Sequence, residues 1–218
     1  MKLINLAKHK VVQASVAKRF PLENANIKGF MSEEDSYFLY VSVLFSRPKS
    51  ILEIGHYLGK STAAICQAIR DARIDTRFDS FDLPFQSTQA FEEYYRGIHQ
   101  REVHASKAYS DVFDGGKIFT QVAEKNLENV GLASFVNLIS KDFRESEFKS
   151  YDFIFADVLH DGAEISHNIA DVMKFGHDET LYMFDDMKDL NIKLIEARSN
   201  LRLIRKTGKV GAFKEGVS

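Results

Sequence analysis

Residues 50–62 read Ser-Ile-Leu-Glu-Ile-Gly-His-Tyr-Leu-Gly-Lys-Ser-Thr. An apolar run meets Glu53, passes through a turn with glycine at 55 and 59, and reaches Ser61 and Thr62, residue types that open helices. A strand that turns tightly into a helix is the opening unit of an α/β sheet. The turn then lies at the carboxyl end of the strand, where open sheets of this kind bind ligands. Glycine is required in such a turn because a Cβ would obstruct a close-lying ligand or forbid a positive φ.

The rest of the chain repeats the alternation. A helix is predicted over 32–45, where Ser32 supplies a cap and Glu33, Glu34 and Asp35 place acids in the first turn. Pro48 separates it from the strand at 50–54. Further strands are predicted at 77–81, 136–139, 151–156 and 180–184, and helices at 61–72, 118–130, 164–174 and 189–200. Two short β segments, 201–205 and 211–214, close the chain, with the basic run 202–209 read as a solvated hairpin. The fold class expected is α/β: a doubly wound, mostly parallel seven-stranded sheet with helices on both faces. Residues 1–48 are expected to form an N-terminal helical segment, with an amphipathic helix over 1–20, and 49–218 the main domain. A polar, aromatic-rich insertion interrupts that domain at about 85–116.

With 218 residues, 44% of them hydrophobic, the chain can build one well-cored domain but not two full ones. A net charge of −2 supplies no field to attract nucleic acid or an anionic membrane. No apolar run approaches the ~20 residues of a membrane span. Residues 1–19 lack the apolar core of a secretion signal, and Cys66 is the single cysteine, so a reducing cytoplasm is the expected setting.

Acids fall at three of the predicted strand ends: Asp82, Asp157 and the pair Asp185-Asp186. Asp82 can accept hydrogen bonds from two ribose hydroxyls. The glycine pattern is not that of a dinucleotide fingerprint, and Asp82 lies further on than the roughly 20 residues such a fingerprint expects. A nucleoside ligand without a pyrophosphate is therefore favoured. Adjacent carboxylates at a buried strand end need neutralising. The all-oxygen set Asp157, Asp185 and Asp186 suits Mg²⁺ or another divalent cation; the alternative is that one aspartate caps the following helix and the other is solvated. His160, three residues after Asp157, is the candidate general base. His56 sits in the glycine turn, within reach of a ligand there.

The run Leu-Glu-Ile-Gly-His-Tyr-Leu-Gly-Lys-Ser at 52–61 resembles the cofactor loop of class I S-adenosylmethionine-dependent methyltransferases, most closely the catechol O-methyltransferase-like branch. The stretch from Tyr151-Asp152-Phe153-Ile154-Phe155-Ala156-Asp157 through Phe184-Asp185-Asp186 is similar to that branch and to macrocin-type sugar O-methyltransferases. The resemblance implies that Glu53, Gly55, Tyr57, Gly59 and Ser61 surround the methionine end of S-adenosylmethionine, with His56 and Asp157 among the cofactor-contacting positions. It implies that Asp82 holds the ribose and that Asp142 and Phe143 flank the adenine. Asp157, Asp185 and Asp186 match the divalent-metal ligands, and His160 the general base, a lysine in the catechol enzymes. Two positions depart from the pattern: Asp186 stands where the catechol enzymes carry asparagine, and Gly176-His177 replaces a Gly-Gly pair. The insertion, with Phe91, Tyr94, Tyr95, Tyr109 and Phe113, has no counterpart in the family and reads equally as a lid or substrate wall and as a peripheral helix pair or dimer contact.

The function expected is Mg²⁺-dependent O-methylation of a hydroxyl on a small-molecule acceptor, whether catechol, sugar or natural product. Three other readings stay open: a metal-independent methyltransferase, a nicotinamide-dependent oxidoreductase, and a non-catalytic protein that binds S-adenosylmethionine. A homodimer is neither required nor excluded.

Overall fold

The computed structural model describes residue 22 and residues 26–216; the helix expected over 1–20 lies outside the described residues. Helix α1 (Glu33–Ser46) starts where expected, because Ser32 Oγ accepts the Asp35 N–H at 3.1 Å. Strand β1 (Ser50–Ile54), helix α2 (Lys60–Ala72) and strand β2 (Arg77–Asp82) form the first βαβ unit. The insertion folds as two helices, α3 (Thr88–His99) and α4 (Lys107–Asp114). Helix α5 (Phe119–Asn129), β3 (Asn137–Ser140), β4 (Phe153–Ala156), α6 (Gly162–Met173), β5 (Leu181–Phe184) and α7 (Asp189–Arg198) continue the alternation. The hairpin β6 (Leu201–Thr207) and β7 (Val210–Glu215) closes the chain.

The seven strands run in the order β3-β2-β1-β4-β5-β7-β6. The first five are parallel, and β7 is antiparallel to both β5 and β6. The expected doubly wound sheet is thus the observed one. Alternate residues of the central strands serve two cores: Ile51, Phe153 and Phe155 pack with α1 and α2, while Leu52, Ile54 and Ile154 pack with α6 and its neighbours. Burial on both faces is why these strands read as continuous apolar runs rather than as alternating ones.

Two boundaries move for local reasons. Strand β4 begins at Phe153 rather than 151 because Asp152 turns its carboxylate onto the backbone N–H groups of Lys49 and Ser50, at 2.7 and 3.1 Å. Helix α6 begins at Gly162 rather than 164 because Asp161 caps it, accepting from the N–H groups of Ala163 and Glu164. Asp35, buried, accepts the Lys209 N–H at 2.8 Å, so the closing hairpin is tied to α1 and reaches the site. No helix among the described residues is long and apolar enough to cross a membrane.

Candidate functional site

Strand order reverses between β1 and β4, and the crevice that opens beyond their carboxyl ends receives Gly55, Asp82, Asp157 and Asp185. The glycine turn is held open by backbone geometry. Gly55 and Gly59 have φ of +89° and +86°, and a Cβ on Gly55 would lie 3.0 Å from the Asp157 carbonyl oxygen. Tyr57 is also left-handed, at φ +46°, and its N–H donates to Asp82 Oδ2 at 2.6 Å.

Glu53 is wholly buried beneath the turn and borders neither cavity described below. Its two oxygens accept from the hydroxyls of Ser61, Thr62 and Ser80 at 2.6–2.7 Å. Burial outweighs those three donors and pushes its carboxyl up to about 7. Ser61, which the resemblance places beside the cofactor with Glu53, borders the second cavity and donates its hydroxyl to Glu53, so the pair also braces the start of α2. His56 borders the second cavity described below, while its ring nitrogens are taken up by hydroxyls, Nδ1 3.0 Å from Ser80 Oγ and Nε2 3.0 Å from Thr120 Oγ1. Burial lowers its imidazole to about 3, so it is neutral.

Two cavities share the crevice. The first, about 80 Å³, is lined by Gly55, Tyr57, Asp82, Asp142, Phe143 and Asp157, with Phe85, Phe91, Tyr94 and Tyr95 forming the opposite wall. Burial raises Asp82 to about 7 against the opposing N–H groups of Tyr57 and Leu83. Burial also works against the Asp142 charge, but hydrogen bonds from Arg144, the shortest 2.7 Å, hold this carboxyl below its ordinary range. Arg144 extends to Tyr94 Oη at 2.9 Å and so pins α3 over this cavity. The insertion is therefore a wall of the first cavity.

The second cavity, about 310 Å³, is lined by Asp157, His160, Asp185, Asp186, Lys209 and an aromatic side made of Phe30, Tyr57 and Tyr109. Tyr57, Tyr109, Asp157 and His160 border both cavities, which meet there. His160 Nε2 lies 3.0 Å from Asp157 Oδ1 and its Nδ1 2.6 Å from Glu164 Oε2. Burial alone would lower this imidazole; the two carboxylates outweigh it and hold His160 well above its ordinary value. Asp185 is pushed up to about 7 by burial, then by the charges of Asp157 and Asp186. Asp186 lies 3.5 Å from Lys209 Nζ. Asn191, buried in α7, donates to the backbone oxygens of both His160 and Asp186, stapling the loops after β4 and β5.

Asp157, Asp185 and Asp186 thus face one cavity, and the Asp185 carboxyl is raised first by burial and then by neighbouring negative charge, the second of which a dication would relieve. The donor set fits Mg²⁺ in chemistry. In this structure, however, the carboxylates of Asp157 and Asp186 face His160 and Lys209. Among the described residues, the metal-ligating side chains whose ligand atoms converge within 4.8 Å are those of His99, Asp161 and Glu164.

The sequence pattern of a family described as "Methyltransferase domain" matches residues 52–187 of the chain, more than half of its length. The chain belongs to this methyltransferase family. No curated protein matches it. Among solved structures, the methyltransferase resembles the S-adenosylhomocysteine-bound PaMTH1 of Podospora anserina at 14% identity and a TM-score of 0.57, with 100% of this chain and 99% of that one covered. It also resembles the O-methyltransferase of Bacillus cereus in complex with S-adenosylhomocysteine, at 16% identity, a TM-score of 0.52, and 98% and 94% coverage. A third is the O-methyltransferase TomG of Streptomyces achromogenes in complex with S-adenosylmethionine, at 15% identity, a TM-score of 0.52, and 94% and 89% coverage. At such identities the likeness establishes a shared fold, the doubly wound sheet of the methyltransferases.

Proposed function

We propose that this methyltransferase moves a methyl group from S-adenosylmethionine to a hydroxyl of a small-molecule acceptor. The observation that carries the reading is the junction of the two cavities at Asp157 and His160: one cavity has the residues for a nucleoside, and the other is acidic and aromatic-walled. The nucleoside would lie with its ribose on Asp82 and its adenine between Phe143 and the insertion, and the sulfonium methyl would point through the junction. The first cavity is smaller than the ~300 Å³ at which ligand pockets begin, so the aromatic wall from α3 must shift to admit the cofactor.

In the second cavity Asp157, Asp185 and Asp186 would hold Mg²⁺. Bound there, the ion supplies Lewis acidity that lowers the pKa of an acceptor hydroxyl. His160 takes the proton from that hydroxyl through Nε2. It must be neutral to do so, which requires that the hydroxyl replace the Asp157 carboxylate on Nε2. The oxygen then attacks the methyl in line, and the rate comes mainly from how Tyr57, Tyr109 and Phe30 hold the acceptor against the cofactor.

One observation favours a metal-independent variant of the same reaction: His160 and Lys209 already face two of the three aspartates with positive charge. Transfer of the labelled methyl of S-adenosylmethionine to a panel of vicinal diols and phenols, with Mg²⁺ and with chelator, tests both versions. Transfer abolished by chelator supports the metal-assisted reading, and transfer unaffected by chelator supports the variant. Absence of transfer to every hydroxyl, with transfer to an amine or thiol instead, contradicts O-methylation.

A further inference from the structure

We infer that Tyr109, from the insertion, forms with Tyr57 an aromatic corner that reads the positive charge of the methyl donor, so that the protein prefers S-adenosylmethionine to its demethylated product. The inference rests on the reading of the first cavity as the cofactor site. Both rings border both cavities, at the junction where the sulfonium methyl would pass. Their centroids lie 4.9 Å apart and their planes meet at 73°. Two nearly perpendicular rings make two walls of the kind of cage that holds quaternary onium ions, because the face of each ring carries negative potential. A sulfonium is an ion of that kind, charged, surrounded by carbon and without a proton to donate.

Tyr57 holds a φ of +46°, a conformation costly for a bulky side chain and freely adopted by glycine. Backbone strain of this kind clusters at functional sites, where the side chain is needed in spite of it. The Tyr57 hydroxyl donates to the Ala108 carbonyl oxygen at 3.1 Å, which ties the glycine turn to the residue next to Tyr109. Phe91 and Phe119 pack on the Tyr109 ring, with centroids 4.9 and 5.5 Å away, and hold its plane. Burial first, and then charges that include those of Asp157, Asp82 and Glu164, raise the Tyr109 hydroxyl above its ordinary value. The ring therefore stays neutral beside carboxylates, a setting that favours a cation. Loss of the methyl leaves both electrons of the broken C–S bond on sulfur and turns the cation into a neutral thioether. The corner then gives up its attraction, and the spent cofactor leaves more readily than the donor.

The test is calorimetric titration of S-adenosylmethionine and S-adenosylhomocysteine into the full chain, which needs no acceptor. In Tyr109→Leu the preference for the donor, taken as the ratio of the two dissociation constants, should fall about 2–30-fold. Tyr109→Phe keeps the ring and should keep the ratio. Phenylalanine carrying successive fluorines at position 109 preserves the shape of the ring while weakening the negative potential of its face, and the preference should fall with each fluorine. Equal weakening of both ligands in Tyr109→Leu, or a preference indifferent to fluorination, would overturn the corner and make Tyr109 a packing residue, with the cofactor reading left intact. A wild-type protein that binds neither ligand would overturn the cofactor reading and the corner with it.

Discussion

Replacing Glu53 with glutamine should change how the stability of this protein depends on pH. The folded chain holds the Glu53 carboxyl wholly buried, and its pKa rises from 4.5 to about 7 because burial outweighs three hydroxyl donors. Between those values the unfolded chain has released its proton while the folded chain retains it. Folding then binds a proton, and stability falls as pH rises. A shift of about 2.5 units, at about 1.4 kcal/mol per unit, amounts to about 3 kcal/mol. Glutamine has no such proton. The difference in unfolding free energy between the wild-type protein and Glu53→Gln should therefore move against the wild type by about 3 kcal/mol between about pH 4 and about pH 8. The offset at low pH reports the changed hydrogen bonds to Ser61, Thr62 and Ser80 and does not enter the slope. Urea denaturation of both proteins across that range measures it. A difference that stays constant, or one that moves in favour of the wild type, would show that the three hydroxyls outweigh burial and would refute the reasoning.

Other outcomes follow from the same geometry. Gly55→Ala should cost about 1–3 kcal/mol, because alanine at φ +89° is strained and its Cβ would press on the Asp157 carbonyl; an unchanged denaturation midpoint would contradict it. Asp185→Asn should abolish the heat of Mg²⁺ binding while leaving the affinity for S-adenosylhomocysteine unchanged, both read by calorimetry; a retained Mg²⁺ heat would remove Asp185 from the ligand set. Arg144→Ala frees α3 from its bond to Tyr94 and should weaken S-adenosylhomocysteine binding, and an unaltered affinity would mean that this bond does not shape the cofactor cavity.

The first βαβ unit was legible in the sequence because its signals are local: an apolar run, two glycines that must be left-handed, and hydroxyls at a helix start. The hydrogen-bond partners of Glu53 and His56 were less legible, because they include side chains that only the fold brings close. Of these, Ser80 and Thr120 lie on β2 and α5, distant in sequence. The insertion announced its aromatics and a possible helix pair but not the helix bounds, although Ser87 does cap α3. Glu164 could have been found, since a carboxylate four residues after a histidine at a helix start faces back toward it. Lys209 and Asn191 gave no signal. Lys209 reaches Asp186 because the antiparallel closing hairpin returns beside β5, and Asn191 bridges two loops that only the sheet brings together.

The most direct test of the account is calorimetric titration of S-adenosylhomocysteine into the metal-stripped protein, with NAD as the competing ligand class. The account predicts saturable binding at micromolar or lower concentration, no response to NAD, and strong weakening in Asp82→Ala, which removes the carboxylate placed on the ribose. Absence of binding to S-adenosylhomocysteine, or a preference for NAD, would contradict the assignment of the first cavity to the methyl donor.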